Sequence, residues 1–261
     1  MPTAAINGTE INYIDSGGDG IAVIFSHGFM MDHTMFDAQV NAISGEFRCI
    51  AWDERGFGGT RATGPFNYWD SADDALALLD HLGIEKAVFV GMSQGGFLSL
   101  RAALRSPERV IAIVLIDSAI DVDEPEQIEG YKGMLHVFEH SSDEKRSEVF
   151  AITSSLILGD DTLAGDWIPK WENYDRQQLV LAGGALMSRD DIMGRVNEIT
   201  APTLIVHGSE DSAITVDRAQ LADRLLVNSR GVVVIDGAAH APNMTHPNEV
   251  NAALVPFLRS L

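Results

Sequence analysis

The chain has 261 residues, with 38 acidic against 18 basic side chains and a net charge of −20. Such a surface repels phosphate backbones and anionic membrane faces, which argues against a nucleic-acid or membrane partner. The 46% hydrophobic content supports a substantial core, no apolar run nears the roughly 20 residues of a bilayer span, and a single cysteine excludes an intramolecular disulfide.

No basic stretch followed by an apolar one opens the chain, so a cytoplasmic protein is expected. Asn7-Gly8, between extended runs at 4–6 and 10–15, predicts a hairpin, because both residues tolerate the positive φ of a two-residue turn. Glycines at 17, 18 and 20 then turn the chain into an apolar strand at 21–25. A helix near 34–44 precedes a strand at 47–52, which carries Cys49 as a small core residue. A helix near 68–82 follows, with Asp70-Ser71 as its start signal and Gly83 just past its end. A strand at 87–91, a helix at 94–105 and a strand at 110–117 continue the alternation. The last of these, Val110-Ile111-Ala112-Ile113-Val114-Leu115-Ile116, is apolar on both faces, as a parallel sheet between helices requires.

Alternation stops after Ala119. Helical patterns at 125–140, 142–158 and 176–187 appear without a strand between them, and strands resume at 203–206 and 232–235. Pro247 opens the last helix, where its missing N–H does no harm. The expected division is an α/β core of residues 1–118 and 196–261, mostly a parallel sheet with helices on both faces. A helical insert, residues 119–195, is expected to cap the carboxyl ends of the strands.

Gly91-Met92-Ser93-Gln94-Gly95 joins a predicted strand to a predicted helix. The bare pattern arises by chance in about one in ten chains of this length, and Ser also caps helices, so its context decides its meaning. A nucleophilic serine needs such a turn: flanking glycines avoid collision, and the helix N-terminus offers N–H groups to an oxyanion. Asp211 follows the strand at 203–206, and His240 follows the strand at 232–235. The order serine, aspartate, histidine distinguishes this arrangement from the chymotrypsin and subtilisin orders. His246 competes with His240 but stands at the entry to the last helix, and Asp117 competes with Asp211 for the carboxylate position. Glu210 and Asp236 are weaker carboxylates, and His27, His33 and His207 read as structural.

Together with Ser26-His27-Gly28-Phe29 and Asp53-Glu54-Arg55-Gly56-Phe57-Gly58, these segments make the chain resemble the α/β-hydrolase superfamily from about residue 11 to 261. The resemblance implies a sheet of about eight strands and a cofactor-free serine hydrolase using Ser93 as nucleophile, His240 as general base and Asp211 as orienting carboxylate. It puts the oxyanion on the backbone N–H groups of Phe29 and Gln94, with the Gln94 side chain free to touch substrate. Some members place the acid at the position of Asp117. Serine at the elbow argues against the haloalkane dehalogenase and epoxide hydrolase members, which use aspartate there. Arg55 is expected as an ion-pair partner within its loop. Met30 and Met31, with Met134, Phe138, Trp167, Trp171, Tyr174 and Met187 of the insert, are expected to line an apolar pocket. The expected substrate is a small apolar ester or lactone. Carbon–carbon hydrolysis of vinylogous diketones and non-catalytic ligand binding on the same fold are the alternatives. No metal-ligand spacing or dinucleotide fingerprint is present, so no metal or cofactor is expected. The oligomeric state is not legible.

Overall fold

The computed structural model describes the backbone of residues 1–261 and the side chains of all but residue 161. β1 (Thr3–Ile6) and β2 (Thr9–Asp15) pair antiparallel around Asn7 and Gly8, whose φ values of 47° and 80° are those the tight turn demands. β3 (Ala22–Ser26), β4 (Arg48–Trp52), β5 (Ala87–Met92), β6 (Val110–Ile116), β7 (Thr203–Gly208) and β8 (Ser229–Ile235) complete one eight-stranded sheet. Its order is β1-β2-β4-β3-β5-β6-β7-β8, parallel throughout from β4 to β8. Every residue of β3, β5 and β7 is buried, which is why these strands read as unbroken apolar runs.

Helices cover both faces. α1 (Asp37–Ile43) follows a single 3-10 turn at His33–Phe36, and α2 (Tyr68–His81) and α3 (Gln94–Arg105) follow β4 and β5. α2 starts earlier than Asp70-Ser71 suggested: Asn67 caps it, accepting from the backbone N–H of Trp69, while the Asp70 carboxylate accepts from Asn67 N. Between β6 and β7 lie α4 (Pro125–His140), α5 (Asp143–Ile157), α6 (Asp161–Glu172) and α7 (Arg176–Met187). α6 is unanticipated, because Gly165 and Pro169 mask its periodicity. It forms because Asp160 caps it through Thr162 N and Leu163 N, and because Trp167 and Trp171, four residues apart, bury one stripe. α8 (Val216–Leu225), α9 (Pro242–Thr245) and α10 (Pro247–Arg259) close the chain.

Two apolar layers result, one under α2, α3 and α8, the other under α1 and α10 and continuous with residues of α4 to α7. Cys49 lies in the second layer with its thiol pushed up to about 12 by burial, so it is inert as a nucleophile. Arg55 is an ion-pair partner: its guanidinium holds the buried Asp74 carboxylate of α2 and donates to Asn7 O, 3.1 Å. The hairpin, the loop after β4 and α2 are thereby locked together. The chain passes from β3 out to β4 and back across to β5, so the strand order reverses there. That crevice, at the carboxyl ends of the strands, is where such sheets hold their sites.

Candidate functional site

Ser93 sits directly after β5 at φ 50°, ψ −115°, a left-handed conformation that a side-chain-bearing residue adopts only when its surroundings impose it. The turn is held by its backbone: Ser93 N donates to Ile116 O at 2.9 Å, while Ser93 O accepts from Gly96 N at 2.9 Å and Ser118 Oγ at 2.8 Å. Close approach explains the glycines. A Cβ on Gly91 would overlap the Gly95 carbonyl, and a Cβ on Gly95 would overlap the Ser26 carbonyl at the end of β3. Both obstacles are backbone, so Gly95→Ala is expected to cost about 3 kcal/mol or more, the upper range of overpacking. For a chain of this size that lowers the melting temperature by about 6–12 °C, readable by calorimetry.

His240 stands in the loop between β8 and α9, and Asp211 in the loop after β7. The Ser93 hydroxyl faces His240 Nε2 at 3.1 Å, and His240 Nδ1–H donates to Asp211 Oδ2 at 2.7 Å. All three side chains are buried. Asp211 Oδ1 accepts from Ala213 N and Ile214 N at 2.8 and 3.0 Å, which fixes the carboxylate plane. Burial works against its ionisation, but the His240 charge and hydrogen bond, with that backbone cradle, hold its carboxyl below the usual range.

Asp117 lies alongside, at φ 43° just past β6, and accepts from Gly208 N at 2.9 Å. Burial, then the neighbouring Asp211 charge, push its carboxyl well above the usual range. Among the described residues, Asp117, Asp211 and His240 are the one group with ligand atoms close enough for a metal ion. Their polar atoms are largely spoken for: His240 Nδ1 by Asp211, Asp211 Oδ1 by two N–H groups, and Asp117 Oδ1 by Gly208.

Gln94 is the first residue of α3, so its N–H has no acceptor within the helix, and neither it nor Phe29 N–H is engaged by any described residue. Met30 follows Phe29 at φ 64°, which bends this loop after β3. The Gln94 side chain is not free to touch substrate. It is buried, accepting from Tyr68 Oη at 3.3 Å and donating to Glu54 Oε2 at 2.9 Å. Burial first, and the nearby Asp74 charge, raise the Glu54 carboxyl well above its usual range.

Of the other histidines, only His207 comes near this line of contacts, its Nε2 lying 3.5 Å from Asp211 Oδ2. His27 Nδ1–H donates to Gly28 O at 2.8 Å and Nε2 accepts from Glu54 N at 2.9 Å, which ties the loops after β3 and β4 together. His33 Nδ1 contacts Asp53 Oδ1 at 2.7 Å, and His207 Nε2–H donates to Ile214 O at 2.7 Å behind the Asp211 loop. His246, half-buried, is the residue before α10 and bonds Thr245 Oγ1.

A cavity of about 390 Å³ opens over Ser93 and His240. Of the eight residues expected along it, the structure puts Met134 alone on its wall. Met30, Met31, Phe138, Trp167 and Trp171 are buried in the core instead, and Met187 packs half-buried against that core. Tyr174 meets Phe57 edge to face and donates to Met31 O at 3.3 Å. The aromatic side chains lost this competition because they bury more apolar area at the helix–helix and helix–sheet contacts than at an open cavity. The walls include Val149, Ile152, Leu156 and Ile157 of α5, and Gln127, Gly130, Tyr131 and Met134 of α4, with Phe29 of the loop after β3. The legible signal was the spacing 149, 152, 156 on α5, a second stripe beside the one through Phe150.

A family model described as alpha/beta hydrolase fold matches residues 21–247. The chain is 26% identical over 246 residues to 3-oxoadipate enol-lactonase 1 of Acinetobacter baylyi, covering 92% of this chain and 89% of that one. It is 30% identical over 280 residues to a non-heme haloperoxidase of Rhodococcus erythropolis, covering all of both chains. Among solved structures, a thermophilic esterase of Thermogutta terrifontis superposes with a TM-score of 0.88 at 26% identity, over 99% of this chain and 96% of the other.

Proposed function

The chain belongs to the alpha/beta hydrolase family, and from that premise and the contact line Ser93–His240–Asp211 we propose a serine hydrolase of carboxylic esters and lactones. The observation that carries the reading is the pair of distances on the two sides of one imidazole, 3.1 Å to a hydroxyl and 2.7 Å to a carboxylate. His240 takes the Ser93 proton as the hydroxyl oxygen attacks the carbonyl carbon. The oxyanion rests on the N–H groups of Gln94 and Phe29, at the N-terminus of α3 and in the loop after β3. His240 then protonates the departing alkoxide, or the ring oxygen of a lactone. A water deprotonated by the same imidazole cleaves the acyl-enzyme and restores the hydroxyl.

The relatives are named a lactonase, a haloperoxidase and an esterase, so no one substrate is carried over from them. Two of the three names fit acyl transfer from an ester bond, which supports the reading. Residues 119–195 serve in it as a cap: α4 and α5 wall the cavity above Ser93 and offer apolar side chains to an uncharged substrate.

The test is covalent trapping with turnover. A fluorophosphonate is expected to add to one site, identified by peptide mass spectrometry as Ser93, while p-nitrophenyl acetate and five- or six-membered lactones are cleaved. Protein that takes no label and turns over neither ester nor lactone would contradict the reading.

A further inference from the structure

Resting on the hydrolase reading above, we propose that the gap between α4 and α5 is a subsite for an unbranched aliphatic chain of the ester substrate. α4 packs against α7, and α5 against α6, so the four helices form two pairs. The cavity lies where the pairs face each other, and both Ser93 and His240 are on its wall.

α5 carries two different faces. Arg146, Phe150 and Ser154, four residues apart, are buried and fix the helix to its neighbours. Val149, Ile152 and Leu156, on the adjoining stripe, line the cavity, yet Ile152 and Leu156 remain 62% and 51% exposed. A helix already anchored by one buried face has no structural need of a second aliphatic stripe turned to open space. Thr153 also lines the cavity, but its hydroxyl is tied to Val149 O at 2.8 Å, which removes a polar group from this wall. Across the gap α4 presents Tyr131 and Met134, Gln127 whose amide donates to Ala213 O at 3.1 Å, and Gly130, where an added Cβ would meet nothing within 4 Å. From Val149 to Leu156 the stripe runs about 10 Å at the helical rise, with a helix on either side. A slot of that length, aliphatic along α5 and opening onto Ser93, suits a flexible chain better than a compact ring system.

The experiment compares p-nitrophenyl esters from acetate to decanoate, and acetates of alcohols from ethanol to decanol, in wild-type protein and Gly130→Leu. Leucine is favoured over glycine in a helix and enters open space, so the variant folds and its melting temperature verifies this. In wild-type protein kcat/KM is expected to rise about fourfold per methylene in at least one series, until the slot is filled. Gly130→Leu is expected to lower the ratio of octanoyl or octyl to acetyl kcat/KM by at least about tenfold. Cleavage of acetate with no gradient in either series overturns the subsite while leaving the hydrolase reading standing, as does an unchanged ratio in Gly130→Leu. If no ester is cleaved, labelling of Ser93 and lactone turnover decide the hydrolase reading separately. The slot is then read by calorimetric titration of Ser93→Ala protein with straight-chain methyl ketones from butanone to decan-2-one. Affinity rising with length supports the slot, and flat or absent binding overturns it.

Discussion

Ser93→Ala is expected to lower kcat for ester cleavage by about 10⁶-fold, the size of loss seen when a serine nucleophile is removed from a hydrolase working through an acyl-enzyme. The argument is specific to how this turn is held. Its strained backbone is fixed by bonds to Ile116 O, Ser118 Oγ and Gly96 N, none of which uses the Ser93 side chain. Alanine therefore keeps the backbone position, the free N–H of Gln94 and the cavity, and loses only the attacking oxygen. The melting temperature should move by no more than a few degrees, since a single exchange at a site with so little contact change is worth about 1 kcal/mol or less. Substrate affinity, read by titration with a slowly cleaved ester, should survive. A variant that keeps more than about a hundredth of wild-type kcat/KM in a preparation free of contaminating esterase would remove Ser93 from the role of nucleophile.

Much of this site was legible because steric and electronic demands fall on particular residue types. Gly91 and Gly95 are readable because a backbone carbonyl occupies the space a side chain would take. His240 and Asp211 are readable because each follows a strand parallel to β5, so its loop leaves the sheet at the same edge as the Ser93 turn. Where the reading failed, the choice was made by packing between elements far apart in the chain. Phe138, Trp167 and Trp171 have the composition of a pocket lining and the positions of a core, and only the pairing of α4 with α7 and α5 with α6 tells the two apart. The Gln94 side chain was misplaced for a related reason. Its amide is captured by Tyr68 and Glu54, from α2 and the loop after β4, and nothing local to residue 94 announces those partners. α6 escaped notice because Pro169 reads as a breaker, although capping by Asp160 and burial of the two tryptophans outweigh it.

Exchanging the two buried carboxyls one at a time separates their roles. Asp211→Asn is expected to lower kcat by about 10⁴-fold, the cost of a mis-set imidazole tautomer in such a triad. The reason lies in the proton inventory. With Asp211 ionised, Nδ1 of His240 is a donor, which leaves Nε2 as the acceptor facing the Ser93 hydroxyl. An asparagine amide can turn an N–H toward Nδ1, and the ring then carries its proton on Nε2, where it cannot accept from serine. Asp117→Asn should behave differently. Burial and the Asp211 charge push its carboxyl well above the usual range, so a neutral amide is a close substitute, and an amide oxygen can accept from Gly208 N as Asp117 Oδ1 does. The expected loss in kcat is about fivefold or less, the worth of one ordinary hydrogen bond. Steady-state kinetics on the two variants decides between them: a large loss confined to Asp117→Asn would move the orienting carboxylate from the loop after β7 to the end of β6. A large loss in both would mean that the pair acts as one unit, with the proton shared between the carboxyls rather than resident on Asp117.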